Sequence, residues 1–168
     1  NEVNYFELQK LIEFQIASGT KALVILGTTG ESSVISPDER TKIIKFCVGI
    51  VNKRIPVIVG TGSNSTQTAI SQTKEAEKLG ADGFLIVTPY YNKTSQNGLY
   101  LHYKSIAKET SLPIIIYNVP SRTGMSILPE TVKKLSKIKN IVGIKDAGGN
   151  ILETMKLLNI LPRSFAVY

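Results

Sequence analysis

Two hydrophobic periods alternate along the chain. Short runs rich in Val, Ile and Leu lie at residues 22–26, 56–59, 84–87, 113–117, 141–144 and 165–167, and they predict strands. Amphipathic stretches separate them at residues 5–18, 37–52, 66–79, 99–110, 129–138 and 151–158, and these predict helices. The punctuation agrees with that division. Ser36-Pro37-Asp38-Glu39 offers an N-cap, a proline at the first helical position and a glutamate three residues on, which is a capping box. Asn150 with Glu153 predicts a second one. Gly19 and Gly80 follow the ends of two helices, where a left-handed residue is needed.

The strand runs begin at residues 22, 56, 84, 113, 141 and 165, the spacing of one βα unit. Segments such as Leu23-Val24-Ile25-Leu26 and Ile114-Ile115-Ile116 are apolar on both faces. That marks a parallel sheet that helices cover or that closes into a barrel. Ala17-Ser18-Gly19-Thr20-Lys21-Ala22 and Lys78-Leu79-Gly80-Ala81-Asp82-Gly83 echo one another, each leading from a helix into a strand. An open dinucleotide-binding sheet should show G-x-G-x-x-G after an early strand. Gly60-Thr61-Gly62 lacks the third glycine, and no phosphate-loop lysine follows Gly27-Thr28-Thr29-Gly30. The expected fold is therefore α/β, a (β/α)8 TIM barrel present as an incomplete segment of about six βα units. A closed barrel needs ~250 residues, so at least two strands should lie elsewhere. The chain opens on Asn1 and stops inside an apolar run, which suits a piece of a longer protein.

Composition narrows the chemistry. The 168 residues are 42% apolar and 20% charged, with a mean hydropathy of +0.05, which excludes disorder. No uninterrupted run of ~18 apolar residues marks a membrane span, and no short apolar leader opens the chain. One Cys and one His exclude a disulfide framework and a Cys/His zinc site, and they suit a reducing cytoplasm with no bound metal. Cys47 stands on an apolar helical face and reads as a buried small hydrophobe. His102 has no neighbours for a Ser-His-Asp triad. The net charge of +7 lies entirely in residues 84–168, with eleven bases against four acids. Lys133, Lys134, Lys137 and Lys139 cluster around one helix C-terminus, where cations complement the dipole. No aromatic RNA motif or basic stripe accompanies them, so nucleic acid is not the expected partner.

In a barrel the chemistry gathers where strands end and βα loops begin. Lys145 follows Ile141-Val142-Gly143-Ile144. A desolvated lysine there supplies free amine for attack on a carbonyl, although a lysine at a strand end is more often merely solvated. Thr28 and Thr29 put hydroxyls beside glycine amides, a pattern that suits a carboxylate or an ordinary tight turn. Tyr117 ends a buried strand, and Arg122 lies in a Pro-Ser-Arg-Thr-Gly loop where it could clamp a carboxylate. Each is weak alone; together on one face they favour Schiff-base chemistry on a keto acid.

Gly27-Thr28-Thr29-Gly30-Glu31, Pro89-Tyr90-Tyr91-Asn92-Lys93, Tyr117-Asn118-Val119-Pro120-Ser121-Arg122-Thr123-Gly124 and Gly143-Ile144-Lys145-Asp146 resemble, in order and separation, the dihydrodipicolinate synthase / N-acetylneuraminate lyase family. The resemblance runs the length of the chain, and the Arg-Thr-Gly ending looks like the synthase branch. It implies a (β/α)8 barrel that condenses pyruvate with L-aspartate 4-semialdehyde in lysine and diaminopimelate biosynthesis, with no cofactor. By motif, Lys145 would form the imine and Thr28 and Thr29 would hold the pyruvate carboxylate. Tyr117 would relay protons, linked through Thr29 to Tyr91 from a neighbouring subunit of a homotetramer built as a dimer of dimers. Arg122 would receive the carboxylate of the aldehyde. The resemblance also implies that residues 1–168 form one partial catalytic domain lacking the first strand, the last strand and the C-terminal helices. The positions that hold the lysine effector in sensitive relatives read Thr68, Pro37 and Arg40 here, so insensitivity to lysine is expected. Competing readings are another pyruvate-dependent class I aldolase of the family, acting on sialic or keto-deoxy sugar acids, and a non-catalytic basic binding fragment.

Overall fold

A computed structural model describes residues 2–168, so Asn1, the expected start of the domain, lies outside it. Seven helices and six strands alternate: α1 (Tyr5–Ala17), β1 (Leu23–Ile25), α2 (Pro37–Val51), β2 (Val57–Gly60), α3 (Thr66–Lys78), β3 (Gly83–Val87), α4 (Gln96–Ala107), β4 (Ile114–Asn118), α5 (Pro120–Thr123), α6 (Pro129–Leu135), β5 (Ile141–Asp146), α7 (Ile151–Ile160) and β6 (Ala166–Val167). The strands form one parallel sheet in the order β1-β2-β3-β4-β5-β6. A doubly wound sheet reverses its strand order at a switch point. Strictly sequential order, each of β1 to β5 followed by a helix, is instead the arc of a barrel.

Local signals explain most element boundaries. The Ser36 hydroxyl accepts from the Glu39 amide while the Glu39 carboxylate accepts from the Ser36 amide, completing the predicted capping box. The second predicted box does not form. The Asn150 side chain accepts from the Leu152 amide at 3.0 Å, and Glu153 turns outward to Lys156 at 2.6 Å. Helix α4 begins three residues before its apolar face because Ser95 caps the Gly98 amide. Helix α6 stops at Leu135, so Lys137 and Lys139 lie beyond its last turn. Among the described residues no helix is long and apolar enough to cross a membrane.

The sheet has two unlike faces. Alternate residues Val57, Val59, Phe84, Ile86, Ile114, Ile116 and Ile144, each at most 2% exposed, point into the helix layer. They meet Ile44, Cys47 and Val51 of α2, Leu99, Tyr103 and Ile106 of α4, and Val132 and Leu135 of α6. The other face carries a smaller cluster of Leu85, Tyr117 and Val119, flanked by the half-buried Ile58, Val87 and Ile115. Val24 on the edge strand β1 shares that inner side and is 50% exposed.

Strand β5 contains an irregularity that decides what faces inward. Ile114 pairs with Ile141, but the next residue, Ile115, pairs with Gly143, leaving Val142 as a bulge. Side chains alternate along a strand, so an extra residue exchanges the faces beyond it. Ile141 and Ile144, three apart, can then both enter the helix layer, and Lys145 turns to the inner face beside Tyr117. A regular ladder starting from the same Ile141 pair would have sent Lys145 among the helices.

Candidate active site

The predicted strand-end residues meet at one mouth of the arc. Tyr117 and Lys145 are register partners on β4 and β5, inside the ladder and not beyond it. The Lys145 Nζ stands 4.5 Å from the centroid of the Tyr117 ring, and Tyr117 is 7% exposed. An ammonium over a phenol ring is a favourable cation–π arrangement. The expected desolvation of Lys145 needs walls that residues 2–168 do not supply. Lys145 is exposed, because the inner face is open on the side of β6, a two-residue strand that pairs only with Gly143 and Ile144.

Opposite them, β1 ends in a strained turn. Leu26 has φ +53° although it is neither glycine nor asparagine, and it is only 5% exposed. Such a conformation costs roughly 1–2 kcal/mol and persists where packing over-determines it. Here a neighbour makes room for it: a methyl group on Gly60 would collide with the Leu26 carbonyl. The turn launches a single 3-10 turn, Thr28–Gly30, in which the Gly30 amide donates to Gly27 and the Glu31 amide to Thr28, both at 3.1 Å. Those two amides are therefore engaged within the turn. The Thr28 and Thr29 side chains are left exposed at the cavity.

Arg122 comes from α5, a four-residue helix that sequence periodicity did not reveal, started by Pro120 and stopped by Gly124 at φ +72°. It lines a cavity of about 290 Å³ together with Val24, Gly27, Thr28, Thr29, Gly30, Leu85, Tyr117 and Lys145. Among these residues are an amine, a guanidinium, a phenol and two hydroxyls, and no carboxylate. The space suits an anionic carbonyl compound, because nothing in its wall repels a carboxylate.

A second cavity of about 510 Å³ shares Gly27, Thr28, Leu85, Tyr117 and Arg122 with the first and ends on Arg40 and Thr68. Arg40 is 7% exposed and donates to the Gly60 carbonyl. Burial lowers its pKa, with Glu75 opposing. Pro37 is exposed at the first turn of α2 and does not line this cavity.

Tyr91, expected to act in a neighbouring subunit's site, lies away from this chain's own cavities. It is 91% exposed with φ +67° and lines neither cavity, whereas its neighbour Tyr90 lines the larger one. Cys47 and His102 stand apart in the helix layer, as read from the sequence. Burial pushes the Cys47 thiol up to about 11, away from reactivity. Burial pulls His102 down to about 4, and its Nδ1 lies 2.9 Å from the Thr66 hydroxyl.

Sequence reasoning missed a polar group behind the site. Asn118 and Asp146, the residues directly after Tyr117 and Lys145, are joined by a 2.9 Å hydrogen bond. Their positions were the available signal: both are polar side chains closing apolar strands.

The model of the dihydrodipicolinate synthetase family matches residues 1–168. The chain is 52% identical over 167 residues to a 4-hydroxy-tetrahydrodipicolinate synthase of Alkaliphilus oremlandii, covering 99% of this chain and 58% of that relative. Its backbone superposes with a TM-score of 0.96 on a chloride-inhibited dihydrodipicolinate synthase of Acinetobacter baumannii complexed with pyruvate, at 51% identity, covering 99% of this chain and 57% of the other. A monomeric dihydrodipicolinate synthase variant gives a TM-score of 0.94 at 46% identity, covering 96% and 55%. The chain thus spans a little over half the length of the proteins it matches. On sequence and on fold alike, it belongs to the dihydrodipicolinate synthetase family.

Proposed function

We propose that the protein containing this chain is a 4-hydroxy-tetrahydrodipicolinate synthase, condensing pyruvate with L-aspartate 4-semialdehyde through a Schiff base on Lys145. The observation that carries the reading is that one acid-free cavity gathers Lys145, Tyr117, Thr28, Thr29 and Arg122. The free amine of Lys145 attacks C2 of pyruvate and water leaves, forming an imine. Loss of a C3 proton gives an enamine whose carbon attacks the aldehyde, making the new carbon–carbon bond. Tyr117, beside the amine, is placed to carry protons between these steps. Thr28 and Thr29 hold the pyruvate carboxylate, and Arg122 holds that of the aldehyde substrate. A relative at 51% identity that binds pyruvate supports the first substrate.

The remaining parts of the reading follow the same family. Residues 1–168 supply about six βα units, and a longer chain supplies the strands that complete the barrel and enclose Lys145. Tyr91, solvated and left-handed here, reaches the site of a neighbouring subunit in a homotetramer and meets Tyr117 through Thr29. Sedimentation of the full-length protein measures that assembly, for which the monomeric variant among the relatives is the counter-example.

The test is incubation of the full-length protein with pyruvate and borohydride, then peptide mapping. The expected adduct lies on the peptide holding Ile144-Lys145-Asp146. An adduct on another lysine, or none, refutes the reading. Arg122→Ala should still trap pyruvate while kcat/KM for the aldehyde falls roughly thirtyfold, the loss of one charge-assisted contact of about 2 kcal/mol. Turnover of keto-deoxy sugar acids in preference to the semialdehyde would assign a sibling aldolase instead.

A further inference from the structure

One register step beyond the Tyr117–Lys145 pair, Asn118 faces Asp146. Side chains alternate along strands, so this second pair projects to the opposite side of the sheet from the amine and the phenol. Asn118 is 4% exposed and uses both ends of its amide. Its Nδ2 donates to Asp146 Oδ1 at 2.9 Å and to the Ser126 hydroxyl at 3.3 Å. Its Oδ1 accepts from the Ile127 amide at 3.2 Å and from the Ser126 hydroxyl at 3.5 Å. Residues 118–127 are thereby closed into a ring, with Arg122 near its middle. Asp146 extends the chain of contacts: Oδ1 also accepts from the Gly148 amide at 3.2 Å, and Oδ2 accepts from the Thr154 hydroxyl of α7 at 2.9 Å. The Ala147 amide donates to the Asn118 carbonyl at 2.8 Å, tying the two strand tips once more.

We propose that Asn118 and Asp146 are positioning residues, a clamp that fixes the loop carrying Arg122 against the strand carrying Lys145 and so sets the binding of the second substrate. The proposal rests on the functional reading above. Its logic is a division of labour. Tyr117 and Lys145 are held by the backbone ladder and by their own strands, so imine formation needs no clamp. Arg122 rides on a short helix outside the ladder, and the amide–carboxylate pair is what joins that loop to β5. A carboxylate only accepts and a primary amide does both, so this one pair can gather donors from the loop, from β4 and from α7 at once. The charge on Asp146 strengthens the bonds that its carboxylate accepts.

The experiment uses the full-length protein and the variants Asn118→Ala, Asp146→Ala and Asp146→Asn. The first two should trap pyruvate on Lys145 within about twofold of the parent while KM for the aldehyde rises roughly tenfold or more. Amide hydrogen exchange across residues 119–127 should quicken in both. Asp146→Asn keeps an acceptor for Asn118 and a partner for Thr154, so it should restore KM to within about threefold. Equal losses in pyruvate trapping and aldehyde KM, unchanged exchange in the loop, or an Asn variant as damaging as the Ala variant would each overturn the clamp. Should Asn118→Ala fail to fold, Thr154→Val, which removes one donor from the rim of the network, carries the same readouts. If the parent protein traps no pyruvate, the functional reading fails, and the exchange measurement alone still decides whether the pair braces the loop.

Discussion

The two faces of the sheet are built from equally apolar strands yet do different work. Outward residues such as Phe84 and Ile116 are fully covered by helices. Inward residues such as Ile58, Val87 and Ile115 are only partly covered, and the inner face carries Tyr117 and, at its rim, Lys145. Close packing makes the first face the source of stability and leaves it intolerant of polar side chains. The second face is the inner side of an arc that spans a little over half the length of its relatives, and its rim carries the reactive side chains. A strand tip can therefore hold a lysine on one side and an isoleucine on the other, one residue apart.

The sharpest way to break this contrast is Lys145→Ala. Removing the nucleophile should reduce turnover at least about a thousandfold and abolish pyruvate trapping. Among the described residues Lys145 has no hydrogen-bond or ion-pair partner, only the Tyr117 ring, so the urea midpoint should hardly move; a large loss of stability would give the inner face a structural role that the contrast denies. Next in size is Phe84→Ala on the outer face, which should cost about 3–5 kcal/mol of unfolding free energy. Ile115→Ala on the inner face of β4, a half-buried position, should cost less, roughly 2 kcal/mol. Equal costs would mean that the inner face is as tightly packed as the outer one.

A pH-dependent effect comes from the helix layer's buried imidazole. His102 binds its proton with a pKa of about 4 when folded, against an ordinary value of 6.5. Below pH 6.5 the unfolded chain takes up a proton that the folded chain refuses, so stability falls as pH drops and levels off below 4. Between pH 7 and 5 the loss from this group should be about 2 kcal/mol. Denaturant titrations of the parent and of His102→Gln should show a slope that only the parent has. The smallest expected effect is none. L-lysine should cause no saturable inhibition below about 1 mM, because the cavity that ends on Arg40 and Thr68 offers no carboxylate to an ammonium group and presents a like charge instead. Sub-millimolar inhibition would show that this end of the cavity recognises cations.

The alternation of strands and helices was legible in the chain, and so was the all-parallel class, because periodicity, caps and turn residues act over a few residues. The strand tips followed from it. Lys145, Tyr117, Thr28, Thr29 and Arg122 were found by asking which reactive side chains stand after apolar runs, and the fold gathers all five around one cavity. Other features were invisible. The bulge at Val142 depends on which residue of β4 each residue of β5 meets, and no pattern within β5 states that. Leu26 reads as an ordinary strand residue, yet it turns left-handed because Gly60, thirty-four positions on, leaves space for its carbonyl. The four residues of α5 are too few to show a helical period.

What the sequence determined by itself was the order of elements and the identity of the reactive groups, both encoded in contacts between residues close along the chain. Which way Lys145 faces and how the Arg122 loop is tied to Asp146 were decided only in the tertiary structure. Each depends on pairing between segments distant in sequence, and there a one-residue change of register moves a side chain from one face of the sheet to the other.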